Sequence, residues 1–186
     1  MESCGLMGQS PQVLTAFQSN PLSADDLPRA AEFDVFHPFI KGVFSQWHPT
    51  TINLEGRSFV TAEQWMMFAK AKLFEDEAVA NAICATRDPS TQKRLGQQVA
   101  PFDQGLWDRW KIEIVYRGNL AKFAQNGGAA RRLALTAPAM LVEANPRDWV
   151  WGVGLSLDDP NANAPSAWKG ANLLGRILTR VRMELG

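Results

Sequence analysis

The chain has 186 residues, enough for one domain with a single core and too few to suggest two. Hydrophobic residues at 46% and charged ones at 20% fit a soluble globular protein. Nineteen basic residues balance nineteen acidic ones, which excludes a global positive field for gripping a nucleic-acid backbone; an anionic ligand has to be caught by a local pocket.

Two cysteines, Cys4 and Cys84, make no disulfide framework and suit a reducing compartment. Two histidines, His37 and His48, with no CxxC or HxxxH spacing, give no metal constellation. The expectation is a protein that uses neither metal nor cofactor. The opening MESCGLMGQS lacks a basic segment followed by an apolar one, and no apolar run approaches a membrane span. The expected location is intracellular, in the cytoplasm.

Residues 1–30 are rich in Ser, Gln, Pro and Asp and read as a flexible leader, with a catalytic domain over 31–186. FDVFHPFIKGVFSQWHP packs aromatics around Gly42 and two prolines, which predicts short strands and loops. TINLEGRSFV predicts a hairpin turning at Glu55-Gly56, with Ile52, Leu54 and Phe59 facing inward. Thr61 and Gln64 have capping-box spacing before the apolar run AEQWMMFAKAKLF, which predicts the first long helix. Asp76 caps a second helix, and Asp88-Pro89 opens a third. A fourth runs through QGLWDRWKIEIVYRGNLAKFAQN, with Leu106, Trp110, Ile114, Leu120, Phe123 and Ala124 near helical spacing. GGAARRLALT supplies a short helix. AMLVEANPRDWVWGVGL reads as two extended pieces flanking an Asn-Pro turn. ANLLGRILTRVRMEL closes the chain as a helix with Leu174, Ile177, Leu178, Val181 and Leu185 as its stripe. The fold class is mainly α with minor β.

Three stretches carry chemistry. In the first long helix, Glu63 and Lys70 sit in its most apolar part, seven residues apart on one face, about 10 Å along the axis. Neither has an opposite charge at surface-pair spacing. Glu63 can be a helix-start carboxylate helped by the dipole while Lys70 snorkels, or the two can converge on a sugar-sized ligand. In NPRDWVWGVG, Asp148 lies in a turn beside Trp149 and Trp151, followed by Gly152 and Gly154. It is either an Asx-turn residue or an acid acting on a sugar while the tryptophans stack on a base. In WKGANLLG, Asn172 is either an ordinary N-cap or marks a helix start whose amides favour phosphate or ribose oxygens. HPFIKGVFSQW adds His37, Lys41, Ser45 and Trp47, a mixed polar and aromatic set that can line a pocket or fold a loop.

In this order, GVFSQW, TAEQWMMFAKAKLF, LGQQV, AKFAQN, LVEANPRDWVWGVGL and GANLLGRILTRVR resemble the NADAR (YbiA-like) family, from Phe33 to the C-terminus. Family members often carry FSNF where this chain has Phe44-Ser45-Gln46-Trp47, so a binding asparagine is missing there. The resemblance implies a single-domain, mainly α YbiA-like fold and cleavage of N-glycosidic bonds between ribose and a nucleobase-like amine. Two substrate classes are implied: ADP-ribose on guanine (in DNA or as guanosine nucleotides), and the ribosylamino-pyrimidine phosphates of riboflavin synthesis. The partner expected is an ADP-ribose-containing small molecule or ADP-ribosylated guanine in nucleic acid, with no membrane and no obligate protein partner. A non-catalytic ADP-ribose-binding module is the alternative from another class. The resemblance makes Lys70, Glu63 and Asp148 the catalytic candidates, and puts Phe36, Ser45, Trp47, Trp151, Gly152 and Asn172 at ligand-lining positions. Lys70 is expected to have a lowered pKa among Met66, Met67, Leu73 and Phe74, which suits a Schiff-base nucleophile or an acid. Glu63 and Asp148 are expected to position ribose hydroxyls and move protons.

Overall fold

The computed structural model describes residues 14–17 and 20–186; Cys4 and the rest of 1–13, with 18 and 19, lie outside them. In chain order the elements are β1 (Phe36–Phe39), β2 (Ile52–Leu54), β3 (Arg57–Phe59), α1 (Ala62–Leu73), α2 (Glu77–Ala85), α3 (Pro89–Gly96), α4 (Gln104–Gln125), α5 (Gly127–Ala134), β4 (Met140–Glu143) and α6 (Leu173–Leu185), with short 3-10 turns between some of them. The fold is mainly α with minor β, as the patterns predict. The chain falls into two compact units, each assembled from separate segments.

The first unit takes Pro49–Ala121 and the described residues up to Leu22. Its β2–β3 hairpin pairs Ile52 with Phe59 and Leu54 with Arg57. Glu55 and Gly56 both have positive φ, 52° and 69°, the backbone that a two-residue hairpin turn requires. Ile52 and Phe59 are fully buried, and Leu54 is half-buried against Ile52, Ala62 and Ala121.

α1 is mostly apolar and is buried nearly all round, its Glu63 and Gln64 included. Thr61 caps it, accepting from the Gln64 amide at 2.9 Å, a contact of about 1 kcal/mol. The reciprocal bond of a capping box is displaced by one residue: Gln64 Oε1 accepts from the Val60 amide, 2.8 Å. The Gln64 amide nitrogen then reaches the Ile83 and Thr86 carbonyls at the end of α2. Thr61 Oγ1 donates to Gln92 of α3, whose side-chain nitrogen also reaches the Thr86 carbonyl. The start of α1 is thus bolted to α2 and α3. Trp65 is wholly buried, donating its indole N–H to the Ile114 carbonyl of α4, 2.7 Å. Gly118 makes room for it, since a Cβ there would lie 2.4 Å from the ring.

Asp76 and Asp88 cap α2 and α3 as expected. In α4 the predicted stripe holds only in part: Trp110 and Ile114 are buried, while Leu106 and Ala124 are exposed. Glu113, Asn119 and Lys122 are buried instead. Glu113 can be, because it takes Arg117 at 2.6 Å and the Leu22 amide at 3.1 Å.

The second unit takes Ser23–His48 and Lys122–Gly186. β1 and β4 pair in parallel, from Phe36 opposite Met140 to Phe39 opposite Glu143. Every residue of β4 is buried. α6 is joined to it: Thr179 Oγ1 accepts from the Leu141 amide, and Arg182 donates to the Ala139 carbonyl. Leu174, Ile177, Leu178 and Val181 face inward, whereas Leu185 at the helix end is exposed. The extended piece predicted after the Asn-Pro turn forms no strand. That chain runs as successive turns, held by Asp148 and by Gly154 at φ 71°. Within the predicted leader, Ser23 caps a 3-10 turn at Ala24–Asp26, and Arg176 of α6 donates to the Ala24, Leu27 and Pro28 carbonyls.

Candidate active site

In the first unit, Lys70 is half-buried on α1 and donates to the Gly96 carbonyl at 2.8 Å. Its ammonium lies 4.5 Å from the centre of the Phe102 ring and 5.5 Å from that of Trp107. Loss of water around the amine lowers its pKa from the ordinary 10.5, the direction the sequence implies. Two further neighbours join those expected on α1: the aromatic rings of Phe102 and Trp107, which come from after α3. Phe102 also lines, with Leu73, Phe74, Pro101 and Leu106, a groove of about 330 Å³. Glu63 stands in the first turn of α1, 6% exposed, where the helix dipole favours a carboxylate.

In the second unit, Asp148 does take the Asx-turn role: Oδ1 accepts from the Val150 amide at 3.0 Å and the Trp151 amide at 2.8 Å. Trp149 is 61% exposed on this turn, and Trp151 is half-buried. Gly152 is needed for packing within the protein. A Cβ there would lie 2.8 Å from the Glu143 carbonyl and 2.9 Å from that of Asp148. The turn is folded back on the end of β4 at this glycine.

Asn172 does not cap α6 with its side chain. It is fully buried with φ 52°; its Oδ1 accepts from the Glu143 amide at 2.9 Å and its Nδ2 donates to the Leu141 carbonyl at 3.0 Å. Both polar ends are spent on β4. Asn tolerates this left-handed backbone better than most residues.

The remaining lining candidates belong to β1 and the loop after it. Phe36 packs edge-on against Trp168 at 5.6 Å, and exposed His37 does the same with Phe44 at 5.7 Å. Ser45 Oγ accepts from the Trp47 amide, and Trp47 is 44% exposed. The Ser45 carbonyl accepts from Lys122, a wholly buried lysine whose pKa burial lowers to about 7. His48 is held below its ordinary pKa by burial, then by Lys122 and Arg132.

Two titratable groups went unread in the sequence. Lys122 is one, hidden in AKFAQN as an ordinary helix-surface lysine. Glu143 is the other, the acid that ends the apolar run MLVE. It is 8% exposed, its Oε2 is buried without a hydrogen-bond partner, and such an orphan costs about 1–3 kcal/mol. Burial, helped by the Asp148 carboxylate, pushes its pKa from 4.5 to about 8. An acid closing a buried strand directly before an Asx turn was the signal available. Among the described residues no group of three or more His, Cys, Asp and Glu could hold a metal ion, and no helix is long and apolar enough to cross a membrane.

Comparison with known proteins sets these residues in context. The N-glycosidase R617 of Acanthamoeba polyphaga mimivirus is 39% identical over 147 residues, 76% of this chain and 86% of that protein. The N-glycosidase YbiA of Escherichia coli is 28% identical over 144 residues, 77% of this chain and 81% of that one. The NMR structure of YbiA superposes with a TM-score of 0.67, covering 82% of this chain and 85% of that chain. The riboflavin biosynthesis protein VVA0006 of Vibrio vulnificus is 26% identical over 77% of this chain and 35% of its own length. The NADAR domain matches residues 35–186. With that match spanning β1 to the last residue of α6, the chain belongs to the NADAR family.

Proposed function

We propose that the chain is an N-glycosidase that hydrolyses the bond between a ribose and a nucleobase, and that it releases ADP-ribose from ADP-ribosylated guanine. The observation that carries this reading is Lys70, an amine desolvated beside Phe102 and Trp107 yet not fully enclosed, in a relative of two proteins named N-glycosidase. A lysine whose pKa is lowered by burial is suited to attack the ribose C1 as a nucleophile, displacing the base nitrogen and opening the furanose ring. Such a step forms a Schiff base, which water then releases. Glu63 and Asp148 are carboxylates suited to stabilising positive charge at the ribose C1 and to fixing its hydroxyls. A passive binding module has no need of a desolvated lysine.

Incubation with ADP-ribosylated guanosine, following guanosine and ADP-ribose by chromatography, tests the reading. Release of both supports it, and binding without release leaves only a binding module. A second substrate class is favoured by the Vibrio relative's name: ribosylamino-pyrimidine phosphates of riboflavin synthesis. Faster turnover of that class than of ADP-ribosylated guanosine makes it the substrate.

A further inference from the structure

Glu143 is held in an unusual way for a structural acid. Its backbone is fully used: the amide donates to Asn172, and the carbonyl accepts from Asn145 at 3.0 Å and Val153 at 2.9 Å. In its side chain, Oε2 is buried with no hydrogen-bond partner. The residue also closes the parallel β1–β4 pair at its carboxyl end, with Phe39 opposite. Gly152 lets the turn fold back so that the Asp148 and Glu143 carbonyls both face one point within 3 Å. The result is a carboxyl group fixed at its root, with one oxygen buried and unpartnered, under the electrostatic influence of a second carboxylate five residues on. Natural proteins bury polar groups with partners, so an exception calls for an explanation, and a catalytic role is one.

We propose that Glu143 is the proton donor of N-glycosidic cleavage, paired with the Asp148 carboxylate. This deepens the N-glycosidase reading and rests on it. As the C1′–N bond breaks, its electron pair stays on the base nitrogen, which takes the proton of Glu143. Glu143 becomes a carboxylate and positive charge builds at C1′. The nucleophile adds there; in the overall hydrolysis water supplies the hydroxyl group to ribose, and its remaining proton restores Glu143. The two acids then divide the work, Glu143 giving a proton and Asp148 steadying charge. The residues against Glu143 include Phe39 from β1, Asn172 just before α6, and Asn145, Asp148, Gly152 and Val153 from the turn; Asp148 is the charged one acting on it. Its proton is kept up to a pH of about 8, so the donor is loaded at neutrality.

The test is steady-state hydrolysis of ADP-ribosylated guanosine and of a ribosylamino-pyrimidine phosphate by wild type, Glu143→Gln, Glu143→Asp and Asp148→Asn, across pH. Glu143→Gln is expected to lower kcat about a hundredfold or more with KM changed less than about threefold, and Glu143→Asp to recover part of it. Wild-type kcat is expected to fall above pH about 8, and Asp148→Asn to move that limb to lower pH, because the carboxylate that holds the proton on is gone. A structural role moves no such limb. Should Glu143→Gln not fold, the limb in Asp148→Asn and Glu143→Asp decides the matter. An active wild type whose limb is unmoved in these variants, or a Glu143→Gln with near-normal kcat, overturns this proposal alone. A wild type that cleaves neither substrate overturns the glycosidase reading and this assignment with it.

Discussion

Lys122 gives its hydrogen bond to the Ser45 carbonyl at 2.8 Å, and none of that lysine reaches solvent. Burying an ammonium with a carbonyl and the Phe123 ring, 5.4 Å away, for company is costly, and the pKa of about 7 expresses that cost. From pH 7 to 10.5 the unfolded chain holds this proton and the folded one has shed it, so Lys122 makes stability rise with pH in that window. Glu143 acts in the opposite sense. Between pH 4.5 and about 8 the folded state keeps a proton the unfolded state has lost, so stability falls as pH rises. Each slope is at most about 1.4 kcal/mol per pH unit. Urea unfolding across pH should show the two limbs meeting between pH 7 and 8. Glu143→Gln is expected to flatten the acid limb and Lys122→Met the alkaline one. A profile unaltered by either change would remove both groups as its cause.

Lys70→Ala is expected to abolish turnover with the fold intact, because most of the side chain beyond Cβ serves the amine and its aromatic contacts. Borohydride added during turnover should trap a covalent adduct on wild type and none on Lys70→Ala. Lys70→Arg keeps the charge over Phe102 and the bond to Gly96 but has no amine to condense, and should be equally dead. Surviving turnover in either variant would exclude the covalent route.

Gly118→Ala is expected to cost about 1–3 kcal/mol, since its Cβ would strike the buried Trp65 ring at 2.4 Å and both backbones are fixed. Gly127→Ala, with nothing near its Cβ, should raise stability by about 0.4–1 kcal/mol by restricting the unfolded chain. Guanidinium unfolding of the two variants beside wild type measures the contrast.

Asn172→Ala strips β4 of two bonds and leaves a buried amide and carbonyl unpaired, a loss of about 3 kcal/mol. Asn172→Gly loses the same bonds but suits the positive φ, so it should be the less damaged of the two by about 1 kcal/mol. Thermal unfolding ranks them; equal Tm values would mean the backbone conformation carries no strain.

The features legible in the sequence were those settled within a few residues. Thr61, Asp76 and Asp88-Pro89 mark helix starts because each cap bonds to an amide two or three positions on. Glu55-Gly56 marks the hairpin because its turn is decided by two φ angles. What stayed hidden depends on remote partners. Lys122 is buried because of Ser45, 77 residues away, and periodicity places it on a surface. Asn172 reads as a cap, yet its partners lie on β4, 31 and 29 residues back. Lys70 was found by its misfit among apolar residues, but the rings that desolvate it, Phe102 and Trp107, could not be read from its own helix. Glu143 gave no periodic signal because an acid at a strand end is commonplace until its burial is known.

The exposure of Trp149 has an optical consequence. Its indole is 61% open, while the ring of Trp65 is wholly enclosed, so the two emit from opposite extremes of polarity. A nucleobase stacked on Trp149 would quench its share of the red-shifted fluorescence, to which exposed Trp47 also contributes, and leave the blue part of Trp65 untouched. Emission recorded with and without ADP-ribosylated guanosine therefore checks whether a ligand reaches the turn that carries Trp149 and Asp148.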